Sequence, residues 1–306
     1  MFRKSMVLGV IALAVITTAI VADEAKIVFV PGGIGDRDIF IMNADGVKQN
    51  ITNNPKGYGF PRWSPDGKRI LFSIKKESTN FDVGIVDVDG KNFRQITDSP
   101  VPEVSPEFSP DEKRIAFFSG GIIYVMNADG GVPWAITDRS LLLYSTGFGW
   151  SPAGDEIAFS AVKKQDGNVF VEIVAVNVDN PNLRRNITTG TWDVMLQWLD
   201  DGKIFFRSKR LDGFETKLFY YDPNDGQVKL FPPLANQDVT YVRWSRKGEK
   251  AIFIWKGKLG MVEEGRSVLL IEDGHDGLNA DIFIPSTRPV SPRDRLATTW
   301  GAIKTK

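Results

Sequence analysis

The stretch FPRWSPDGKRILFS, Phe60 to Ser73, reads as strand, tight turn, strand. Pro65 suits the first central position of a type I turn, and Gly67 tolerates the left-handed residue that follows it. Close copies return as SPEFSPDEKRIAFFS at Ser105 to Ser119 and as GFGWSPAGDEIAFS at Gly147 to Ser160. Aligned on the aromatic before each turn, the anchors are Trp63, Phe108, Trp150, Trp198 and Trp244, with Val290 in a weaker sixth unit. Their spacings are 45, 42, 48, 46 and 46 residues, a period that signals a propeller.

Each unit repeats one internal order. A first strand ends at the anchor, and a second follows the turn. A third is apolar: Ile39 to Met42, Val83 to Val86 and Ile122 to Val125. It ends in a second turn, Asn43-Ala44-Asp45-Gly46, copied at Asn127 to Gly130 and loosely at Asp87 to Gly90; Asp-Gly is a strong hairpin signal. A fourth strand is marked by Ile51-Thr52, Ile96-Thr97, Ile136-Thr137 and Ile187-Thr188. Four antiparallel strands of this kind make one blade. The chain starts inside a unit, with Lys26 to Val30 as a second strand, and ends inside one, with a first strand reaching Val290. The expectation is an all-β, six-bladed propeller of four-stranded antiparallel blades over residues 23–306, closed by strands from both termini, because closure removes sheet edges. Leu296 to Trp300 competes with Lys26 to Val30 for the second-strand place, and the sequence leaves that choice open. The five aromatic anchors are expected between blades, as core.

Trp-Ser-Pro-Asp-Gly-Lys-Arg-Ile from Trp63 to Ile70, with Met-Asn-Ala-Asp-Gly (Met42 to Gly46) and Ile-Thr around it, resembles the TolB-like, or WD-like, β-propeller repeat family. The resemblance spans nearly the whole chain after the N-terminal segment. It implies a six-bladed ring and, from the family's namesake, a periplasmic protein that binds partners in the cell envelope. The namesake carries an extra domain ahead of its propeller. Here repeat-like sequence begins at Lys26, so its partner role is not carried over.

Composition narrows the chemistry. Lys+Arg and Asp+Glu both number 38 in 306 residues, so no global field favours nucleic acid. There is no cysteine and one histidine, His275, which excludes thiolate metal sites, cysteine nucleophiles and polyhistidine centres; no cofactor or metal is expected. Arg3 and Lys4 precede an apolar run from Met6 to Ala22, which reads as a signal peptide over residues 1–22, with an uncleaved anchor as the rival. After removal no stable membrane span is expected. Gly149-Trp150-Ser151-Pro152-Ala153 imitates a nucleophile elbow but lacks the last glycine and falls on a repeat turn. Asp45, Asp87 and Asp89 have calcium-like oxygen chemistry but read as turn formers. Asn50-Ile51-Thr52 and Asn186-Ile187-Thr188 match the glycosylation pattern on expected strands.

Two candidate sites follow. Second-to-third and blade-to-blade loops share one face, and their variability suits function. That face gathers Lys75, Lys76, Lys163, Lys164, Lys209 and Arg210 with Tyr144 and Trp192, a set suited to an acidic or carboxylate-ended protein partner. Arg62, Glu107, Gln197 and Arg243 each precede an anchor; they line the channel and meet a small ligand, or pair with one another across blades. The favoured function is a secreted or periplasmic, non-catalytic protein-binding module. A small-molecule or glycan ligand stays possible. The alternative is a carbohydrate-active enzyme, glycosidase- or lyase-like, using carboxylates at the channel mouth.

Overall fold

A computed structural model describes residues 25–31, 38–43, 46–53, 56–77, 80–189, 192–209, 216–234, 239–255, 258–263, 266–271 and 279–284. The segment 1–22, Arg210, His275, Val290 and the strand candidate 296–300 lie outside the described residues, as does the Tyr144 side chain. Among the described residues no helix is long and apolar enough to cross a membrane.

The described strands form six antiparallel sheets of four. Blade I comprises Tyr58–Trp63, Arg69–Glu77, Asn80–Asp87 and Arg94–Gln95. Blade II comprises Glu103–Phe108, Arg114–Ser119, Ile122–Asn127 and Trp134–Ala135. Blade III comprises Leu142–Trp150, Glu156–Gln165, Asn168–Asn177 and Arg184–Asn186. Blade IV comprises Asp193–Trp198, Ile204–Ser208, Lys217–Asp222 and Gln227–Leu230, followed by a short 3₁₀ turn, Pro232–Leu234. Blade V comprises Val239–Trp244, Lys250–Trp255, Lys258–Glu263 and Arg266–Ile271. Blade VI joins the two ends of the chain: Asn279–Phe283 pairs with Lys26–Val30, then Phe40–Asn43 and Lys48–Asn50. The molecule is a six-bladed β-propeller.

Closure uses Lys26–Val30 as the second strand of blade VI, in register from Lys26 opposite Phe283 to Val30 opposite Asn279. The innermost strand ends at Phe283, not Val290, and Phe283 is the sixth anchor. Its ring lies 5.4 Å from that of Trp63 in blade I, and Asp281 accepts the Trp63 backbone N–H at 3.0 Å. A ring at this place is what seals the seam. The sequence Phe283-Ile284-Pro285 keeps the aromatic-x-Pro order of blades I, II and III.

The repeat turn explains its own letters. In blades I, II and III the turn serine (Ser64, Ser109, Ser151) accepts the N–H five residues on and donates to an aspartate of the same turn (Asp66, Asp111, Asp155). Its carbonyl closes the turn by accepting the N–H of residue three. The residue at that third position has φ of +70° at Gly67, +74° at Gly154 and +59° at Glu112. Ser151 is therefore a turn residue, its hydroxyl already committed.

The Ile-Thr pairs lie just past the fourth strands rather than within them. Each isoleucine N–H reaches back to the third strand. Each threonine hydroxyl accepts the N–H of the same third-strand position whose carbonyl takes the isoleucine N–H: Thr52 from Ile39, Thr97 from Val83, Thr137 from Ile123 and Thr188 from Ile173, at 2.8–3.0 Å.

The core is divided by blade. Six clusters of buried apolar side chains lie between consecutive sheets, including one joining V to VI (Ile252, Ile254, Ile27, Ile282) and one joining VI to I (Val28, Ile41, Trp63, Phe72). Trp63, Phe108, Trp150 and Trp244 are buried in these layers, and Trp198 is half-buried against one. Third-strand glycines make room for rings: a Cβ on Gly84 would sit 2.4 Å from Phe72, and one on Gly260 2.3 Å from Phe253.

Candidate functional site

Inside the ring, the polar residues on the innermost strands face one another. Arg243 of blade V lies 3.7 Å from Glu107 of blade II, across the axis, and 3.5 Å from Asp281 of blade VI; it also donates to the Leu196 carbonyl at 3.4 Å. Arg62 donates to the Pro61 carbonyl at 2.9 Å and lies 3.4 Å from the Tyr241 hydroxyl, which itself donates to the Ala280 carbonyl. Gln197 exchanges two hydrogen bonds with the Trp244 backbone, at 2.8 and 2.9 Å. Two guanidinium groups thus stand with two carboxylates. Burial pushes the Glu107 carboxyl up, opposed by Arg243 and Arg62. Burial works against the charge of Arg243, but Glu107 and Asp281 outweigh it and hold it above the ordinary arginine value. All four expected channel residues are brought together, and each makes contacts within the protein. Sequence reading missed Asp281 and Tyr241, because counting to Val290 left Phe283 unrecognised as an anchor.

The second-to-third and blade-to-blade connections lie on one face, since first strands begin where second strands end. Lys75, Lys76, Lys163, Lys164, Lys209 and Trp192 are all on this side of the ring. Among the described second-to-third strand pairs the longest are Arg69–Glu77 with Asn80–Asp87 in blade I, and Glu156–Gln165 with Asn168–Asn177 in blade III. The lysines here meet acids of the same sheets. Lys76 pairs with Asp98 and stands 3.9 Å from Asp82, which is fully buried; Lys163 stands 3.6 Å from Glu172, whose side chain is 4% exposed. Lys164 and Lys209 are exposed, Lys75 is half-buried, and Trp192 is half-buried beside Val171.

Beneath this face a motif recurs at blade junctions. An acid one residue before the N–H that the threonine accepts takes the side-chain amide that precedes Ile-Thr: Asp38 from Asn50 at 2.8 Å, Asp82 from Gln95 at 2.9 Å, Glu172 from Asn186 at 3.1 Å. Where blade II has Ile122 in the acid's place it has Ala135 in the amide's. The two glycosylation-like triplets are therefore structural latches. The next blade's inner strand adds a third member in two cases. Tyr58 lies near Asp38, and burial first, then Asp38, pushes its hydroxyl up to about 12. Glu103 lies near Asp82; burial first, then Asp82, raises its carboxyl to about 7 against the lowering hydrogen bond from Thr97.

Asp87 and Asp89 accept hydrogen bonds within their turn, from Asn92 at 2.6 Å and Lys91 at 3.0 Å. Among the described residues no group of three or more acidic or histidine side chains is arranged to hold a metal ion. A cleft of ≈ 320 Å³ lies beside the blade III hairpin, lined in part by Lys163, Phe170 and Glu172.

Fold and site together define a six-bladed propeller with a networked axis and one elaborated loop face. The chain belongs to the TolB beta propeller domain family, whose model matches residues 4–141 and 75–271. A curated relative, the uncharacterized protein Atu1656 of Agrobacterium fabrum (strain C58), is 30% identical over 146 residues, 42% of this chain and 48% of that protein. The match thus spans about half the length of that relative. Among solved structures, TolB from Acinetobacter baumannii superposes with a TM-score of 0.66 at 19% identity, covering 85% of this chain and 67% of that one. A chain of a nidogen/laminin complex superposes at 0.63 with 13% identity, covering 85% and 98%. These likenesses concern the fold.

Proposed function

We propose that this protein is an exported, non-catalytic interaction module that docks a protein partner on the face bearing the second-to-third and blade-to-blade loops. The observation that carries the reading is the division of labour between the two faces. On one, turns are short, repeated and bound up in their own hydrogen bonds. On the other, two hairpins project and carry exposed Lys164 and Val169, with Lys209 and Trp192 beside them. Function concentrates in such variable loops on a rigid scaffold. Membership in a TolB family and likeness to a propeller from a nidogen/laminin complex support a protein partner. The apolar Met6 to Ala22 run supports export to the periplasm or outside the cell.

Because Lys76 and Lys163 sit against Asp82 and Glu172, the face is mixed in sign, and any preference for an acidic partner rests on Lys164 and Lys209. Four carboxylates of the axis and loop face stand near basic groups: Glu107 and Asp281 by Arg243, Asp82 by Lys76, Glu172 by Lys163. A glycosidase pair needs carboxyls free to shuttle protons or attack, so this pairing favours binding over the carbohydrate-active alternative. The test is affinity capture from the source cell's envelope with the full chain and with a Lys164→Glu, Lys209→Glu variant. Loss of a partner that the unaltered chain retains is expected. Equal recovery by both would remove the face from the account.

A further inference from the structure

We infer that the cleft beside the blade III hairpin is a binding site for an uncharged, hydroxyl-rich ligand, a neutral saccharide. This goes beyond partner docking and does not depend on it.

The cleft follows from strand register. Glu156–Gln165 pairs with Asn168–Asn177 so that Ala161 faces Glu172, Lys163 faces Phe170 and Gln165 faces Asn168. Side chains two apart on a strand share a face, and directly opposed residues share it too. One face of the projecting hairpin is therefore a ladder of carboxylate, aromatic ring and amide on one strand against ammonium and amide on the other. Ala161 supplies the small residue that leaves room opposite Glu172. Asp166, with φ of +50°, and Gly167, with φ of +77°, form the tip, and Thr189 from the blade-to-blade segment supplies the far wall. The space is ≈ 320 Å³, at the lower end of small-ligand sites.

Blade I supplies the comparison. Its hairpin carries Asp82 and Asn80 at matching places, but there the neighbouring segment fills the space. Ser99 donates to Asp82 at 2.9 Å, Asn80 donates to the Ser99 carbonyl at 2.8 Å, and Lys76 pairs with Asp98. In blade III, Thr189 stands where Asp98 does and lines the cleft.

The lining selects the ligand class. One ammonium, Lys163, faces two carboxylates, Asp166 and Glu172, so an anion meets a net negative wall. A cation meets Lys163 poised 3.6 Å from the deepest carboxylate. A hydroxyl suits both, donating to carboxylate and accepting from ammonium or amide. Phe170 offers a flat apolar surface for a sugar's C–H face. Glu172 is held in place by Asn186, so its geometry is set before a ligand arrives.

The experiment is titration of the intact protein with glucose, N-acetylglucosamine, maltose and cellobiose, followed by ligand-observed NMR. Glucuronate and glucosamine serve as charged comparisons. Expected is saturable binding of at least one neutral sugar, weakened by about tenfold or more in Phe170→Ala and in Asn168→Ala. Leu183→Ala, exposed in the turn at the far end of the same blade, leaves affinity unchanged. Gln165→Ala replaces Phe170→Ala should the latter fail to fold. The inference is overturned if none of the four neutral sugars saturates. It also fails if a charged sugar binds more tightly than its neutral counterpart, or if Leu183→Ala weakens binding as much as the cleft variants do.

Discussion

At the scale of single residues, Glu112 shows how one departure from the repeat is compensated. It occupies the left-handed turn position that glycine takes in blades I, III, IV and V. Its side chain then reaches blade I, accepting the Asp66 N–H at 2.7 Å and Arg69 at 2.6 Å. A non-glycine residue there costs about 1 kcal/mol or more, and the bonds to a charged group offset it. Glu112→Ala keeps the strain and loses the bonds, whereas Glu112→Gly loses both. Urea denaturation is expected to rank Glu112→Gly above Glu112→Ala by about 1 kcal/mol; equal midpoints would contradict the compensation. Glu103 makes a pH prediction. Its carboxyl is raised in the folded state to about 7, so folding binds its proton more tightly than unfolding does. The stabilisation is complete below the unfolded value of 4.5 and is lost as pH rises through 7. Stability should therefore fall between about pH 5 and about pH 8, and Glu103→Gln should flatten that slope. An unchanged slope in the variant would assign it to other groups.

At the scale of elements, the threonine latches tie the segment just past each of four fourth strands back to its third strand. In blade II, Thr137 accepts the buried Ile123 N–H at 2.9 Å, and no acid–amide pair backs it up. Thr137→Val keeps the shape and leaves that N–H without its acceptor, which should cost about 1–3 kcal/mol, while Thr137→Ser should recover most of it. Equal losses in both variants would mean that methyl packing, not the hydroxyl, matters. The strand order, the serine-proline turns and five of the six aromatic anchors were legible in the letters, because each serves local geometry that a motif records directly. The latch was visible only as a recurring Ile-Thr, and it was placed inside the fourth strand. Its purpose depends on Ile39, Val83, Ile123 and Ile173, some thirteen to fifteen residues upstream. Asp281 escaped notice for a related reason: its partners, Trp63 and Arg243, are 218 and 38 residues away, and no local pattern announces such a contact. The sign of the loop face was misjudged in outline for the same cause, since Asp82 and Glu172 read as ordinary strand residues until folding sets them against lysines.

At the scale of the molecule, stability is circular. No sheet buries both faces alone, and six apolar layers, one at each junction, let every blade be covered by two neighbours. The weakest place in such a ring is the seam, where blade VI is assembled from strands nearly the whole chain apart. Closing it costs loop entropy, which the VI–I layer, the Trp63–Phe283 ring contact and the Asp281 bond offset. The axial pairing of Arg243 with Glu107 ties opposite sides of the ring as well. The chain's lack of cysteine makes the seam directly measurable. Cysteines placed at Val30 and Asn279, opposed in register on the two terminal strands, would be the only thiols present. The account predicts that mild oxidation of the folded Val30→Cys, Asn279→Cys variant gives an intramolecular disulfide in nearly every molecule and stabilises it by about 2–4 kcal/mol. Thiols that stay free, or that pair only between molecules, would contradict a ring closed by the chain's two ends.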